Sequence, residues 1–250
     1  FHGLGAEVDV VFRQGLPLRG FDEDIRYALA EGMRKDGVRL HPNQTVHSIE
    51  ARGEARHVVL TNGHSLEVDL VFFAVGRAPK TGQLGLEHTG VTLDAKGAIK
   101  VDDEFTTAVP HIFAIGDVSN RLNLTPVAIA EGHHLADRLF GPGTPRSWSM
   151  NPVATAVFSN PPIATVGLTE EQASQHGPMD IYLTEFRPMR HVLSGRDRLT
   201  LMKMVVDQAT QRVLGVHLLG DDVPEMMQGI GVALTAGATK QDFDRTIGIH

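Results

Sequence analysis

The stretch AEVDVVFRQGLPLRGFDEDIRYALAEGMRK, residues 6–35, reads as a strand, a short loop and a helix. Val8, Val10, Val11 and Phe12 form a β-branched and aromatic run that stops at Arg13. Ile25, Leu29 and Met33 recur four apart, which puts them on one helix face. Asp22 stands where an N-cap belongs, and Gly37 lies just past the last turn. Between the two elements, Arg13 and Arg19 flank a Gly15-Leu16-Pro17 turn. In a Rossmann βαβ unit, the residue ending the second strand meets the adenosine ribose, and an arginine there accommodates a 2′-phosphate. Two permanently charged, planar guanidinium groups on one loop suit that anion. The same pair reads, on composition, as two solvated surface arginines.

Working outward, residues 1–5 resemble the last turn of a helix closed by glycine, and no Met opens the chain. Residues 38–40, 46–49, 58–60 and 65–68 are short alternating runs that suggest a small antiparallel sheet. Residues 70–75 are continuously apolar and predict a parallel strand covered on both faces, ending at Gly76. A second buried strand is expected at 112–115, running into Gly116-Asp117, followed by a helix with Thr125 as N-cap and Pro126 first. An acid at the end of such a strand can accept hydroxyl hydrogen bonds from a ligand, and the helix N-terminus adds oriented N–H donors. Equally, Asp117 reads as a turn residue and Thr125 as an ordinary cap.

The Pro- and Gly-rich run at 141–152 marks a domain boundary near Arg146. Beyond it, strands are expected at 154–158, 163–166, 199–206 and 213–219, a capping box at 169–172, and a last helix from Asp222 towards Gly237. The fold class is therefore α/β, followed by an α+β portion.

Composition sets outer limits. Lys plus Arg number 23 against 30 for Asp plus Glu, a formal net charge of −7, so nucleic acid is not an expected partner. The longest apolar run is far shorter than the roughly 20 residues of a membrane helix, and no basic-then-apolar leader opens the chain. A cytoplasmic, membrane-free location is the expectation. With Cys 0, these residues hold no disulfide, thiolate nucleophile or cysteine-ligated metal. The 13 histidines show no ligand spacing, so no metal is expected. His250 is the one histidine reached by an apolar approach, and it reads either as an acid and base or as a lone terminal residue.

Several segments resemble the class I pyridine nucleotide-disulfide oxidoreductases, and among them the glutathione-reducing branch. They are VFRQGLPLRGFDEDIR at 11–26, FFAVGRAP at 72–79, IFAIGDV at 112–118, LTPVAIAEG at 124–132, VFSNPPIATVGLTE from 157, FRPMRHVLSGRD at 186–197, MMQGIGVAL from 226 and the closing ATKQDFDRTIGIH. The resemblance implies a partial Rossmann-like NADPH domain at 1–77, an FAD-binding segment at 78–146 and an interface domain at 147–250. It implies a flavoprotein oxidoreductase serving redox homeostasis, with FAD and NADPH as cofactors, glutathione disulfide as substrate and a homodimer as working unit. By motif position, Arg13 and Arg19 would hold the 2′-phosphate. Gly76, Gly116, Asp117, Leu124 and Thr125 would contact cofactor, Arg196 a glutathione carboxylate, and His250 would be the catalytic acid. The redox cysteine pair of that family is not in this sequence, which is therefore expected to be part of a longer protein and inactive alone. The alternatives are a non-catalytic dimerisation module or proteolytic piece, or, within the family, a trypanothione, mercuric or dihydrolipoamide-type enzyme.

Overall fold

Strand β1 (Asp9–Phe12) pairs in parallel with β2 (Arg39–Pro42), and helix α1 (Glu23–Lys35) lies between them in sequence. Asp22 caps α1 as its sequence predicts, its carboxylate accepting the Asp24 amide. The computed structural model describes residues 1–143 and 149–250, so the boundary expected near Arg146 lies outside the described residues. The chain forms two compact units, residues 1–71 with 151–250, and residues 72–150.

In the first unit, β3 (Val46–Arg52), β4 (Ala55–Leu60) and β5 (Ser65–Val68) form the expected antiparallel sheet. A larger antiparallel sheet has the order β6 (Thr155–Val157), β7 (Ile163–Gly167), β10 (Val213–Leu219), β9 (Thr200–Asp207) and β8 (Met179–Phe186). Its two faces are both used, because strand side chains alternate. Met202, Met204 and Val206 face a core shared with Val223, Met227 and Leu234 of α5 (Val223–Thr235). Leu201 and Leu219, on the opposite side, pack with Ile25 and Leu29 of α1. Three shorter helices are α3 (Glu170–Ala173), opened by the expected Thr169–Gln172 capping box, α4 (Met189–Ser194), and α6 (Lys240–Arg245). No helix of the described residues is long and apolar enough to cross a membrane.

The second unit carries two 3-10 turns, Leu86–His88 and Gly116–Ser119, and helix α2 (Thr125–Phe140). Val91, Ala98, Ile99, Phe105, Ala114 and Val127 are buried within it.

Four expectations need correction. Residues 70–75 form no strand, and Leu70, Phe72, Phe73 and Val75 are exposed. Residues 112–115 make a single bridge, Thr106 to Phe113, instead of a buried strand. Both runs have the apolar content of parallel strands, but a strand also needs a neighbour to pair its backbone groups, and no described strand serves either. Residues 38–40 contribute to β2 beside β1, not to the antiparallel sheet. Thr125 is the first residue inside α2. Leu124, with extended backbone, is the N-cap and offers no side-chain bond. Strand β8 and helix α4 have no counterpart in the sequence reading.

Candidate functional site

Arg13 and Arg19 lie on one loop, between the end of β1 and the start of α1, and both are exposed. Neither guanidinium makes a hydrogen bond or ion pair with the described residues, which leaves both charges available to an anion. The loop is not loose. Arg26, on the first turns of α1, donates from Nε to the Pro17 carbonyl at 2.7 Å and from Nη2 to Leu16 O at 2.8 Å and Gln14 Oε1 at 3.1 Å. The signal for Arg26 was its position, since a cation near a helix N-terminus opposes the macrodipole and calls for partners.

In the second unit, Gly116, Asp117, Leu124 and Thr125 are brought together by the packing of α2 on the Gly116–Ser119 turn. Gly116 has φ +68, and a Cβ there would meet the Ala128 Cβ at 3.1 Å, so the turn and helix fit closely only through glycine. Asp117 is exposed and its carboxylate has no partner among the described residues, which leaves it open to a hydroxyl donor. Beneath it, Glu131 is fully buried and accepts the Gly116 amide at 2.6 Å. Sequence reasoning missed this acid, although its spacing from Val127 puts it on the buried face of α2. We expect Glu131→Ala to lower unfolding free energy by about 1–3 kcal/mol, because a buried donor loses its acceptor. Glu131→Gln, whose amide oxygen can still accept, should lose less in urea titration. Gly76, at φ +127, has nothing near its missing side chain.

Arg196 is exposed and follows α4. It lines a cleft of about 440 Å³ with Lys35, Asp36, Asp197 and Arg198. Neighbouring Asp197 binds Lys35 at 3.1 Å and Arg187 at 2.8 Å, which hold its carboxyl below the usual range, while Arg196 has no partner among the described residues. Helix α4 is tied to the β10–α5 connection by buried His191 on Asp221 at 2.7 Å and by Arg190 on Asp222 at 2.7 Å. His250 is exposed, as are Ile247 and Ile249 before it. Arg196 and His250 are thus not gathered with the arginine loop into one pocket. No group of three or more potential metal-ligating side chains occurs among the described residues.

A buried charge cluster lies where the loop enters α1. Lys203 Nζ contacts Asp22 at 2.9 Å, Asp24 at 2.6 Å and Glu170 at 2.6 Å. Asp22 Oδ2 accepts the Glu170 amide at 3.0 Å, so one carboxylate caps both α1 and α3. Burial works to raise the Asp22 pKa, but the Glu170 amide and the Lys203 ammonium outweigh it and the carboxyl titrates below its ordinary value. His217, on the same sheet face, shares a hydrogen bond with Thr165 and has Nε2 3.0 Å from Leu168 O. A carbonyl only accepts, so Nε2 carries the proton and Nδ1 accepts from the hydroxyl. Burial pushes the His217 pKa down, keeping it neutral.

These two shifts fix the acid limb of stability. A group with a depressed folded pKa contributes stability above its unfolded pKa and loses it as pH falls towards the folded value. Unfolding free energy should therefore start to decline below pH 6.5 through His217, and again below 3.8 through Asp22. The slope is at most about 1.4 kcal/mol per pH unit for each group. Urea titrations between about pH 2 and pH 8 check this, and His217→Gln should flatten the upper step.

Comparison with known proteins divides the chain by sequence and not by the two compact units. Residues 1–132 match the family described as pyridine nucleotide-disulphide oxidoreductase, and residues 153–250 match that family's dimerisation domain. A glutathione reductase of Burkholderia cepacia is 48% identical over 100% of this chain and 56% of its own. A trypanothione reductase of Trypanosoma congolense is 42% identical over 99% of this chain and 51% of its own. The solved HOCl-induced flavoprotein disulfide reductase RclA of Escherichia coli superposes with a TM-score of 0.87 at 31% identity, covering 98% of this chain and 57% of that one. The chain spans about half the length of the curated relatives it matches. It belongs to the pyridine nucleotide-disulphide oxidoreductases, and its last hundred residues are their dimerisation domain.

Proposed function

We propose that this chain is the C-terminal portion of an NADPH-dependent, FAD-containing enzyme that reduces glutathione disulfide as a cytoplasmic homodimer. The observation that carries the reading is the pair of unpaired guanidinium groups on the loop after β1, in a chain of this family. Residues 1–77 would belong to the NADPH domain, 78–146 to the FAD domain and 147–250 to the dimer interface. Arg13 and Arg19 bind the 2′-phosphate by charge-assisted hydrogen bonds. Asp117 accepts hydroxyl bonds from the ribityl chain, Gly76 and Gly116 leave the backbone approachable, and Leu124 and Thr125 present the α2 N-terminus to the ring. FAD, when bound, supplies the two-electron relay between NADPH and a disulfide. His250 holds a proton at its imidazole and delivers it to the departing glutathione thiolate of the partner subunit's site, since a thiol leaves more readily than its anion. Arg196 pairs with a glutathione carboxylate.

A non-catalytic module is disfavoured by relatives that bear reductase names along this chain's whole length. Trypanothione reduction is the remaining competitor, because reductases so named also match. The test is the full-length protein assayed for flavin absorbance and for NADPH oxidation with each disulfide. A yellow dimer that turns over glutathione disulfide supports the reading; a colourless protein, or preference for trypanothione disulfide, overturns it. The 250 residues alone, with Cys 0, should show no turnover.

A further inference from the structure

The loop at 13–20 has no regular secondary structure, yet both of its margins are fixed. On one side, the Asn43 amide donates to Gln14 O at 3.1 Å and the Gln44 amide to Phe12 O at 3.0 Å. On the other, Arg26 holds Pro17 O, Leu16 O and Gln14 Oε1 together. Only a guanidinium presents Nε–H and Nη–H donors in one rigid plane, and a lysine has a single nitrogen for all three acceptors. Carbonyl oxygens committed to Arg26 are also not presented to an anion, which they would repel. Arg26 thus spends its hydrogen bonds on the loop, while Arg13 and Arg19 keep theirs free. Leu18, inside the loop, has φ +52, a left-handed backbone that a non-glycine residue keeps only where its surroundings hold it.

We propose that Arg26 is a positioning residue that sets the preference for a 2′-phosphorylated nucleotide without touching it, by holding the 13–20 loop in the curvature that presents Arg13 and Arg19. The inference rests on the reading of this loop as the 2′-phosphate clamp and names what enforces it. Preorganisation of this kind removes the cost of ordering the loop when the ligand binds. Neutralisation of the phosphate by Arg26 itself is a different idea, and the conservative variant separates the two, because lysine keeps the charge and loses the fork.

The experiment measures NADPH and NADH dissociation constants for full-length wild type, R26K, R26M and the double variant R13A/R19A, with amide hydrogen exchange of residues 14–20 in the nucleotide-free proteins. We expect R26K and R26M alike to reduce the NADPH-over-NADH ratio on the order of tenfold, the scale of ordering a loop and its side chains. Exchange in the loop should accelerate while thermal midpoints stay close to wild type. If R13A/R19A loses the preference but R26K keeps it, Arg26 is not a positioning residue, though the clamp stands. The same holds if R26M alone loses it, since charge would then suffice. If wild type shows no preference, or R13A/R19A leaves it intact, the clamp fails and the inference with it. Should R26M fail to fold, R26K and Gln14→Leu, which removes one acceptor without touching α1, carry the test. The Gln14 variant should then give a smaller loss of the same kind, and an unchanged ratio in both would overturn the proposal.

Discussion

Exchanging Arg13 and Arg19 together for alanine in the full-length protein is expected to weaken NADPH binding on the order of a hundredfold and NADH binding hardly at all. Hydrogen bonds to charged groups contribute roughly 1.5–3 kcal/mol each, and two at the low end already give that factor. The two coenzymes differ only in the 2′-phosphate, so the ratio isolates the clamp from every contact they share. Neither arginine has a partner among the described residues whose loss would disturb the fold. Exposed charges are screened by salt, so the preference should shrink between 50 mM and 500 mM ionic strength. Equal losses for the two coenzymes in equilibrium titration would assign the arginines a general role and remove the argument for NADPH.

Lys203→Met should destabilise the first unit strongly, lowering unfolding free energy by about 3–5 kcal/mol and the thermal midpoint by roughly 10 °C. Lys203 is 2% exposed, and so is Asp22. Asp24 and Glu170 are each about half exposed at their side chains, 46%, and can turn to water. The cost therefore falls on the buried Asp22 carboxylate, left without its cation. The double variant with Asp22→Asn should recover part of the loss, because asparagine still caps a helix and carries no charge. Burial lowers the Lys203 pKa, but its bonds to Asp24, Glu170 and Asp22 win and raise it overall. Its contribution is then complete below the ordinary lysine value of 10.5 and lost as pH rises through the folded value. Thermal melts of the single and double variants decide the matter; a loss under 1 kcal/mol would mean water reaches the cluster.

The parts of the fold that could be read directly were those with local punctuation. Asp22 and Gly37 bracket α1, Thr169 and Gln172 box α3, and the Asn62-Gly63 turn separates β4 from β5, each by chemistry contained within a few residues. Pairing is not local. The runs at 70–75 and 112–115 look like strands to any hydropathy argument, yet whether a neighbour lies beside them is decided elsewhere in the chain. Strand β8 was hidden by its position at the sheet edge, where Ile181, Tyr182 and Leu183 are consecutive, partly exposed and without alternation. In the candidate site, the two arginines were legible because Arg13 follows the end of a strand and Arg19 stands across the Gly15-Leu16-Pro17 turn from it. Arg26, Glu131 and Lys203 were not singled out, although each occupies a position its neighbours make conspicuous. Lys203 alternates with Leu201 and Val205, and period-2 logic puts all three on one buried face.

Asp22 and Glu170 are 148 residues apart in sequence, and their joining by one carboxylate ties residues 1–71 and 151–250 into a single body although 72–150 lie between them in the chain. A protease that nicked the backbone within 72–150 would leave two fragments still bound through α1 and the five-stranded sheet. Those fragments, expressed separately, should complement each other on mixing, and the middle stretch becomes the natural place to split the polypeptide or graft a reporter.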